Sequence, residues 1–374
     1  MRFSPGPVCG LVGGPSVGKS NVLAAIWMLL ARGSAAPAVS DVAAGAAQAI
    51  HLSATLGDGD EIALEASPPG RATESGPPVP VLFLPASLRS GRLIADPAGA
   101  HGGRLARRYF ALGESSSSAA PAAALVAALD QLCDAGEKGL VLLIEEPELF
   151  LRPQAQRYLY RLLRRFARNG NQVIYSTHAP AFLNVGRLEE LAFVEHTPDS
   201  GTMVIQPEPL GADESFRALS ELDAERGELF LARAVLLVEG RTEKLTFPLV
   251  FRALAYDVDR EAITILDCGG KPNIPLFVRI CQAVRIPCIA VHDRDAPIGR
   301  RASKSESALN AEIVKLAGPS RTVVLAPDFE AVAGLRGHRH KPARAWQRFS
   351  HIEADRVPAA LSQAVAQIVA LARA

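Results

Sequence analysis

Gly13-Gly-Pro-Ser-Val-Gly18-Lys19-Ser20 has the spacing G-x-x-x-x-G-K-[ST]. Glycines at Gly13 and Gly18 let a chain wrap phosphate with several N–H groups pointing inward, and a helix starting there adds partial positive charge. Lys19 would then reach the β- and γ-phosphates of ATP, and Ser20 would ligate Mg²⁺. The bland alternative is a glycine turn with a surface lysine. The apolar run before the loop and the helical pattern after it favour the phosphate site. A second grouping, Glu145-Glu146-Pro-Glu148, closes the apolar run VLLI. Two acids there could divide the work, Glu145 holding the metal and Glu146 orienting the attacking water. Ser176-Thr177-His178 ends the next apolar run, where His178 could sense the γ-phosphate or hold that water. A loop histidine alone would more often be a cap.

The distal half carries more carboxylates, again after apolar runs. They are Glu239 and Glu243 in LLVEGRTEK, Asp293 and Asp295 in AVHDRD, and Asp328 and Glu330 in APDFE. At strand spacing Asp293 and Asp295 should point to the same side. Strand ends of a parallel sheet converge on one edge, so up to six carboxylates should meet there. Such charge is costly unless cations neutralise it. An all-oxygen set suits Mg²⁺ or Mn²⁺ and not zinc. Two such ions could activate a water and stabilise the leaving oxygen of a phosphodiester. Acidic helix caps and solvated loop residues are the plain alternative for any one of these acids.

The elements that must position these groups are legible. Residues 8–30 read as strand, glycine turn and helix, and residues 51–67 as a hairpin around Gly-Asp-Gly. Residues 67–80, rich in Pro and Gly, read as a loop. Strands are predicted at VLFLPA, GLVLLI, NQVIYS and LAFVEH, with a helix over 153–169. Strand–helix alternation resumes at RAVLLVEG and runs through AITILD, IPCIAVHD and TVVLAP. The expected class is α/β: a P-loop ATPase domain (1–205), a polar linker (206–228) and a second, Rossmann-like α/β domain (229–374).

Bulk composition excludes little. The chain has 374 residues with 40 basic and 39 acidic, so any DNA contact must come from a local patch. The run GLRGHRHKPARAWQR is the best such patch. Five scattered cysteines without a C-x-x-C pair argue against a zinc ribbon or disulfide framework. No secretory leader or membrane-length apolar run is evident, so a soluble cytoplasmic protein is expected.

IEEPELFLRPQAQR followed by VIYSTHAPAFL resembles the ATPase domain of ABC-type and RecF-like proteins. That resemblance implies paired ATPase domains sandwiching nucleotide. It also implies a Ser-Gly signature turn, for which Gly113-Glu-Ser-Ser-Ser-Ser118 is in the right place but of poor form. VEGRTEKLTFP, CGGKPNIP, VHDRDA and APDFE with HKPARAW resemble the Toprim domain, and the combination resembles the OLD (overcoming lysogenization defect) nuclease family. The resemblance implies that Glu239, Glu243, Asp293, Asp295 and Glu330 hold two metals and that Lys341 stabilises charge on the transferred phosphate. Asp328 stands where the family uses a small polar residue. The implied function is an ATP-regulated, metal-dependent DNA endonuclease or nickase acting as a homodimer or higher oligomer, in phage defence or DNA repair. An ATP-switched DNA-binding subunit with a defence-system partner protein is the alternative. A topoisomerase or primase is less well supported, because no tyrosine sits in a nucleophile's setting and no template-binding module is evident.

Overall fold

The structure is a computed structural model that describes residues 8–31, 49–57, 59–66, 72–77, 79–86, 121–136, 138–149, 151–183, 185–197, 201–211, 226–296, 303–335 and 340–374. It divides into two compact units, Met1–Asn184 with Glu189–Gln206, and Val185–Leu188 with Pro207–Ala374.

In the first unit β1 (Val8–Val12) is buried along its whole length. An unbroken apolar run demands this, since both faces of a parallel strand are covered. The glycine loop and α1 (Lys19–Leu30) follow. Strands β2 (Ile50–Thr55) and β3 (Glu61–Ala66) form the expected hairpin, with Ile50 opposite Ala66 and Thr55 opposite Glu61. Residues 67–80 are not wholly loop, because Ala72–Ser75 form β4 on the free edge of β3. Three of its four residues are exposed, and an edge strand that buries so little needs no apolar pattern. Next come β5 (Val81–Leu84), α2 (Pro121–Asp134), β6 (Val141–Glu145), α3 (Pro153–Arg168), β7 (Gln172–Ser176), β8 (Leu191–Thr197) and β9 (Gly201–Ile205).

The main sheet runs β5-β6-β7-β1-β8-β9, parallel except that β9 returns antiparallel on β8. Period-two alternation sorts the two cores. Leu142 and Ile144 of β6 join Leu129, Leu159, Leu163 and Phe166 beneath α2 and α3. Leu143, between them, joins Leu11, Leu23, Ile174 and Val194 beneath α1. Gly10 leaves room for Tyr175, since a Cβ there would lie 2.8 Å from the ring. The Tyr175 hydroxyl donates to the Phe182 carbonyl at 2.8 Å, pinning the turn after β7 that carries His178.

The second unit opens with a 3₁₀ turn, Arg226–Leu231, that buries Leu229 and Phe230. This turn begins within the expected linker, whose residues 212–225 lie outside the described residues. Then follow β10 (Ala234–Val238), α4 (Arg241–Ala253), β11 (Ile263–Asp267), α5 (Ile274–Ala283), β12 (Cys288–Asp293), α6 (Lys304–Ala317), β13 (Thr322–Leu325), α7 (Phe329–Val332), α8 (Lys341–Phe349) and α9 (Ala359–Arg373). All four strands are parallel, in the order β11-β10-β12-β13. The chain leaves β10 toward one side and returns on the other, so the order reverses there and a crevice opens at its carboxyl end. All five cysteines are buried and unpaired. No helix among the described residues is long and apolar enough to cross a membrane.

Candidate functional site

Strands β6, β7 and β1 are neighbours, so their carboxyl ends bring the first set of predicted residues to one edge. Gly18 is the N-cap of α1 with φ 104°, a left-handed conformation that glycine adopts without strain. No side chain caps that helix, which leaves its first N–H groups facing the loop. The Thr202 hydroxyl on β9 donates to the Val17 carbonyl at 3.0 Å and braces the loop from outside. A Cβ on Gly13 would lie 2.3 Å from the Val194 carbonyl oxygen, and backbone cannot swing aside. Gly13→Ala is therefore expected to cost about 1–3 kcal/mol. A denaturant midpoint equal to that of the parent would contradict this.

Lys19 is buried, and its Nζ donates to the carbonyls of Gly13 at 2.9 Å and Gly14 at 2.7 Å. Burial lowers its pKa, opposed by the charges of Glu146 and Glu148. Glu145 accepts the Ala86 N–H at 2.8 Å, so its carboxylate is tied to the end of β5. Glu146 has φ 45°, and its N–H donates to the Ser176 carbonyl at 2.9 Å. This locks the acidic turn to β7. His178 Nε2 stands 3.8 Å from a Glu146 oxygen, too far for a hydrogen bond. Burial, then Lys19, lowers the His178 pKa, opposed by the charges of Glu146 and Glu148. Sequence reasoning gave Glu148 no role, although it is the third acid of the run. Its Oε1 accepts the Thr177 hydroxyl at 2.9 Å and the His178 N–H at 2.7 Å, which fixes the histidine turn. Its Oε2 is buried without a hydrogen-bond partner. The signature candidate Gly113–Ser118 lies outside the described residues.

A cavity opens at the carboxyl end of β10. It is lined by Glu239, Glu243, Asp267, Asp293 and Glu330, with Gly240, Arg241, Thr242, Gly269, Gly270 and Lys341. Glu239 Oε1 accepts the Asp293 N–H at 2.6 Å, and Asp293 Oδ1 accepts the Phe329 N–H at 2.7 Å. Burial, with the charges of Glu239 and Glu330 added, pushes Glu243 up to about 7. Burial and the charges of Glu239 and Glu243 push Asp293 up to about 8. Asp267 went unnoticed in the sequence, although it ends the run AITIL. It lines the cavity and accepts the Gly269 N–H at 2.7 Å.

Two expectations change. Asp293 ends β12, but Asp295 lies past the strand with φ 56°, so strand alternation no longer governs its direction. It is absent from the cavity lining, and its Oδ2 accepts from Lys271 Nζ at 2.5 Å. Asp328 is the N-cap of α7 and accepts the Ala331 N–H at 2.8 Å, a structural duty. Glu330 pairs with Lys341 at 2.5 Å. Among the described residues, no three His, Cys, Asp or Glu side chains are already gathered around one ion position. The cavity's remaining donors still fit a hard divalent cation: all are oxygens, and burial, with repulsion among them added, drives the pKa rises.

These shifts set a pH dependence. The unfolded chain releases both protons near the ordinary 4.5 and 3.8, while the folded chain holds them to about 7 and 8. The native state thus binds more protons across that window, and these groups' contribution to stability falls as pH rises through it. The metal-free protein should melt lower at about pH 8.5 than at about pH 6, and Mg²⁺ or Mn²⁺ should narrow the difference. A thermal-melt series in EDTA that is no steeper than the same series for Asp293→Asn would contradict this.

Comparison with known proteins agrees with this architecture. Residues 122–184 match a family described as "AAA domain, putative AbiEii toxin, Type IV TA system". Residues 230–295 match the Toprim domain of overcoming-lysogenization-defect-like proteins. A curated OLD nuclease from Thermus scotoductus is 36% identical over 299 residues, 74% of this chain. The chain spans 57% of that relative's length. Among solved structures, the C-terminal region of the Burkholderia pseudomallei OLD protein aligns with TM-score 0.32 and 16% identity over 38% of this chain and 99% of that one. The SMC head domain from Thermotoga maritima aligns with TM-score 0.36 and 16% identity, over 56% and 92%. In domain content, domain order and sequence, the chain is similar to the OLD nuclease, with an AAA-type match preceding an OLD-like Toprim match.

Proposed function

We propose that the chain is an ATP-binding, divalent-metal-dependent DNA endonuclease or nickase. The observation that carries the reading is the cavity at β10, where buried and half-buried carboxylates of raised pKa meet an uncapped helix N-terminus and a lysine. Glu239, Glu243 and Asp293 would hold Mg²⁺ or Mn²⁺, with Asp267 and Glu330 at the margin. The second ion implied by the family resemblance would compete with Lys271 for Asp295. A divalent ion there supplies charge that polarises a phosphoryl oxygen. The first N–H groups of α4, after Gly240, would take a DNA phosphate at the cavity mouth. Lys341, about one-third exposed, is free to leave Glu330 for the negative charge that grows on that phosphate.

In the first unit Lys19 and Ser20, with Gly13 and Gly18, would hold ATP and its Mg²⁺. Lys19 would exchange two loop carbonyls for phosphate oxygens, which accept more strongly. Glu145 would serve that ion, and Glu146 and His178 the attacking water. The working assembly would be a homodimer or higher oligomer on DNA, with phage defence as one setting. The second reading, an ATP-switched DNA-binding subunit, rests on the sequence Gly113-Glu-Ser-Ser-Ser-Ser118, which departs from the signature motif. A supercoiled-plasmid assay with Mg²⁺, Mn²⁺ or EDTA, each with and without ATP, separates the two. Metal-dependent open-circular or linear product supports the nuclease, and intact plasmid throughout with retained DNA binding supports the switch.

A further inference from the structure

Lys271 is the most fully enclosed cation in the second unit's described residues that no role above absorbs. It lies in the turn Cys268-Gly-Gly-Lys271, which the sequence marks only by its glycines. Its side chain is 5% exposed. All three ammonium donors are used: the Asp293 carbonyl at 2.7 Å, Asp295 Oδ2 at 2.5 Å and Glu306 Oε2 at 3.1 Å. Burial works against this charge, and Asp295 and Glu306 more than offset it, holding the pKa above the ordinary value.

The backbone is shaped around this contact. Asp295 takes a left-handed φ of 56° with its N–H on the Pro327 carbonyl at 3.0 Å, which turns the carboxylate toward Lys271. Glu306 comes from the first turn of α6, whose N-cap Ser303 accepts the Glu306 N–H at 3.2 Å. The donor set is what a second divalent ion would meet beside Asp293: one carbonyl and two carboxylates.

Lys341 offers the contrast that decides which lysine a metal can displace. It makes one ion pair, with Glu330, and its side chain is 37% exposed. Leaving Glu330 costs Lys341 little, because water takes over its donors. Lys271 would surrender three charge-assisted bonds and leave an ammonium without partners in a closed setting.

We infer that Lys271 is a built-in cation standing where a second divalent ion would otherwise sit, so that the Toprim unit holds one exchangeable metal, at Glu239, Glu243 and Asp293. Asp295 then acts as a positioning residue through Lys271 and is not a metal ligand. The inference rests on the metal-dependent reading of the cavity, and its test reads ion number, not cleavage.

The experiment is a Mn²⁺ titration followed by electron paramagnetic resonance, on the full chain without nucleotide, so that Ser20 has no phosphate with which to share an ion. One Mn²⁺ per chain is expected for the parent, for Lys271→Arg and for Asp295→Asn, the last within about threefold of the parent's affinity. Lys271→Met, which frees the outer carboxylates, should take up a second ion. Two ions on the parent, or none, overturn the inference. So does a folded Lys271→Met that still binds one. Should Lys271→Met fail to fold, Asp295→Asn decides: loss of its Mn²⁺ makes Asp295 a ligand and overturns the inference, and retention supports it. The nuclease reading fails separately, through intact plasmid in the cleavage assay, whatever the ion count.

Discussion

Asp293→Asn is expected to remove metal-dependent DNA cleavage and, at the same time, to make the protein more stable. A metal ligand is worth several kcal/mol of transition-state stabilisation, so the rate should fall about a thousandfold. The amide keeps the shape of the carboxylate, and its oxygen can still accept the Phe329 N–H. What disappears is the negative charge that burial and the charges of Glu239 and Glu243 make costly. Removing it relieves the repulsion that raises those pKa values, so the metal-free variant should melt above the parent at about pH 8. Two readouts moving in opposite directions separate this account from simple unfolding. A variant that melts lower and loses activity would be a damaged protein, and one that cuts at the parent's rate would leave Asp293 without a role in the chemistry.

Lys19→Ala should weaken ATP binding about a hundredfold or more, since each charge-assisted bond from an ammonium to phosphate is worth about 1.5–3 kcal/mol. The fold should survive, because the carbonyls of Gly13 and Gly14 that Lys19 now satisfies lie in a loop that water can reach once the side chain is removed. Fluorescent-nucleotide titration reads the affinity directly. Equal affinity in parent and variant would mean that the glycine loop does not hold the triphosphate.

Much of this was legible because parallel strands buried on both faces write themselves as unbroken apolar runs, as at Val8–Val12 and Ala234–Val238. The acids and loops that close those runs then fall on one sheet edge by topology alone. What could not be read depends on backbone direction after a strand ends. Asp293 sits at the last strand position and behaves as spacing predicts. Asp295, two residues on, does not, because a left-handed φ redirects it. Lys271 was hidden in a glycine turn, where a lysine has no local signature and only the return of α6 brings Glu306 against it. Glu148 and Asp267 were visible as acids after apolar runs but lacked the partners that define their duties, the Thr177–His178 turn and the Gly269 N–H. The short β4 was missed for a related reason: an edge strand is specified by its neighbour and needs no pattern of its own.

The central claim is that the carboxylate cavity at β10 cuts phosphodiester bonds with a divalent ion. Conversion of supercoiled plasmid by the full chain, side by side with Asp293→Asn, in Mn²⁺ and in EDTA, tests it most directly. The account predicts open-circular or linear product for the parent in Mn²⁺ alone and none for the variant. Product that persists in EDTA, or appears equally with Asp293→Asn, would contradict it.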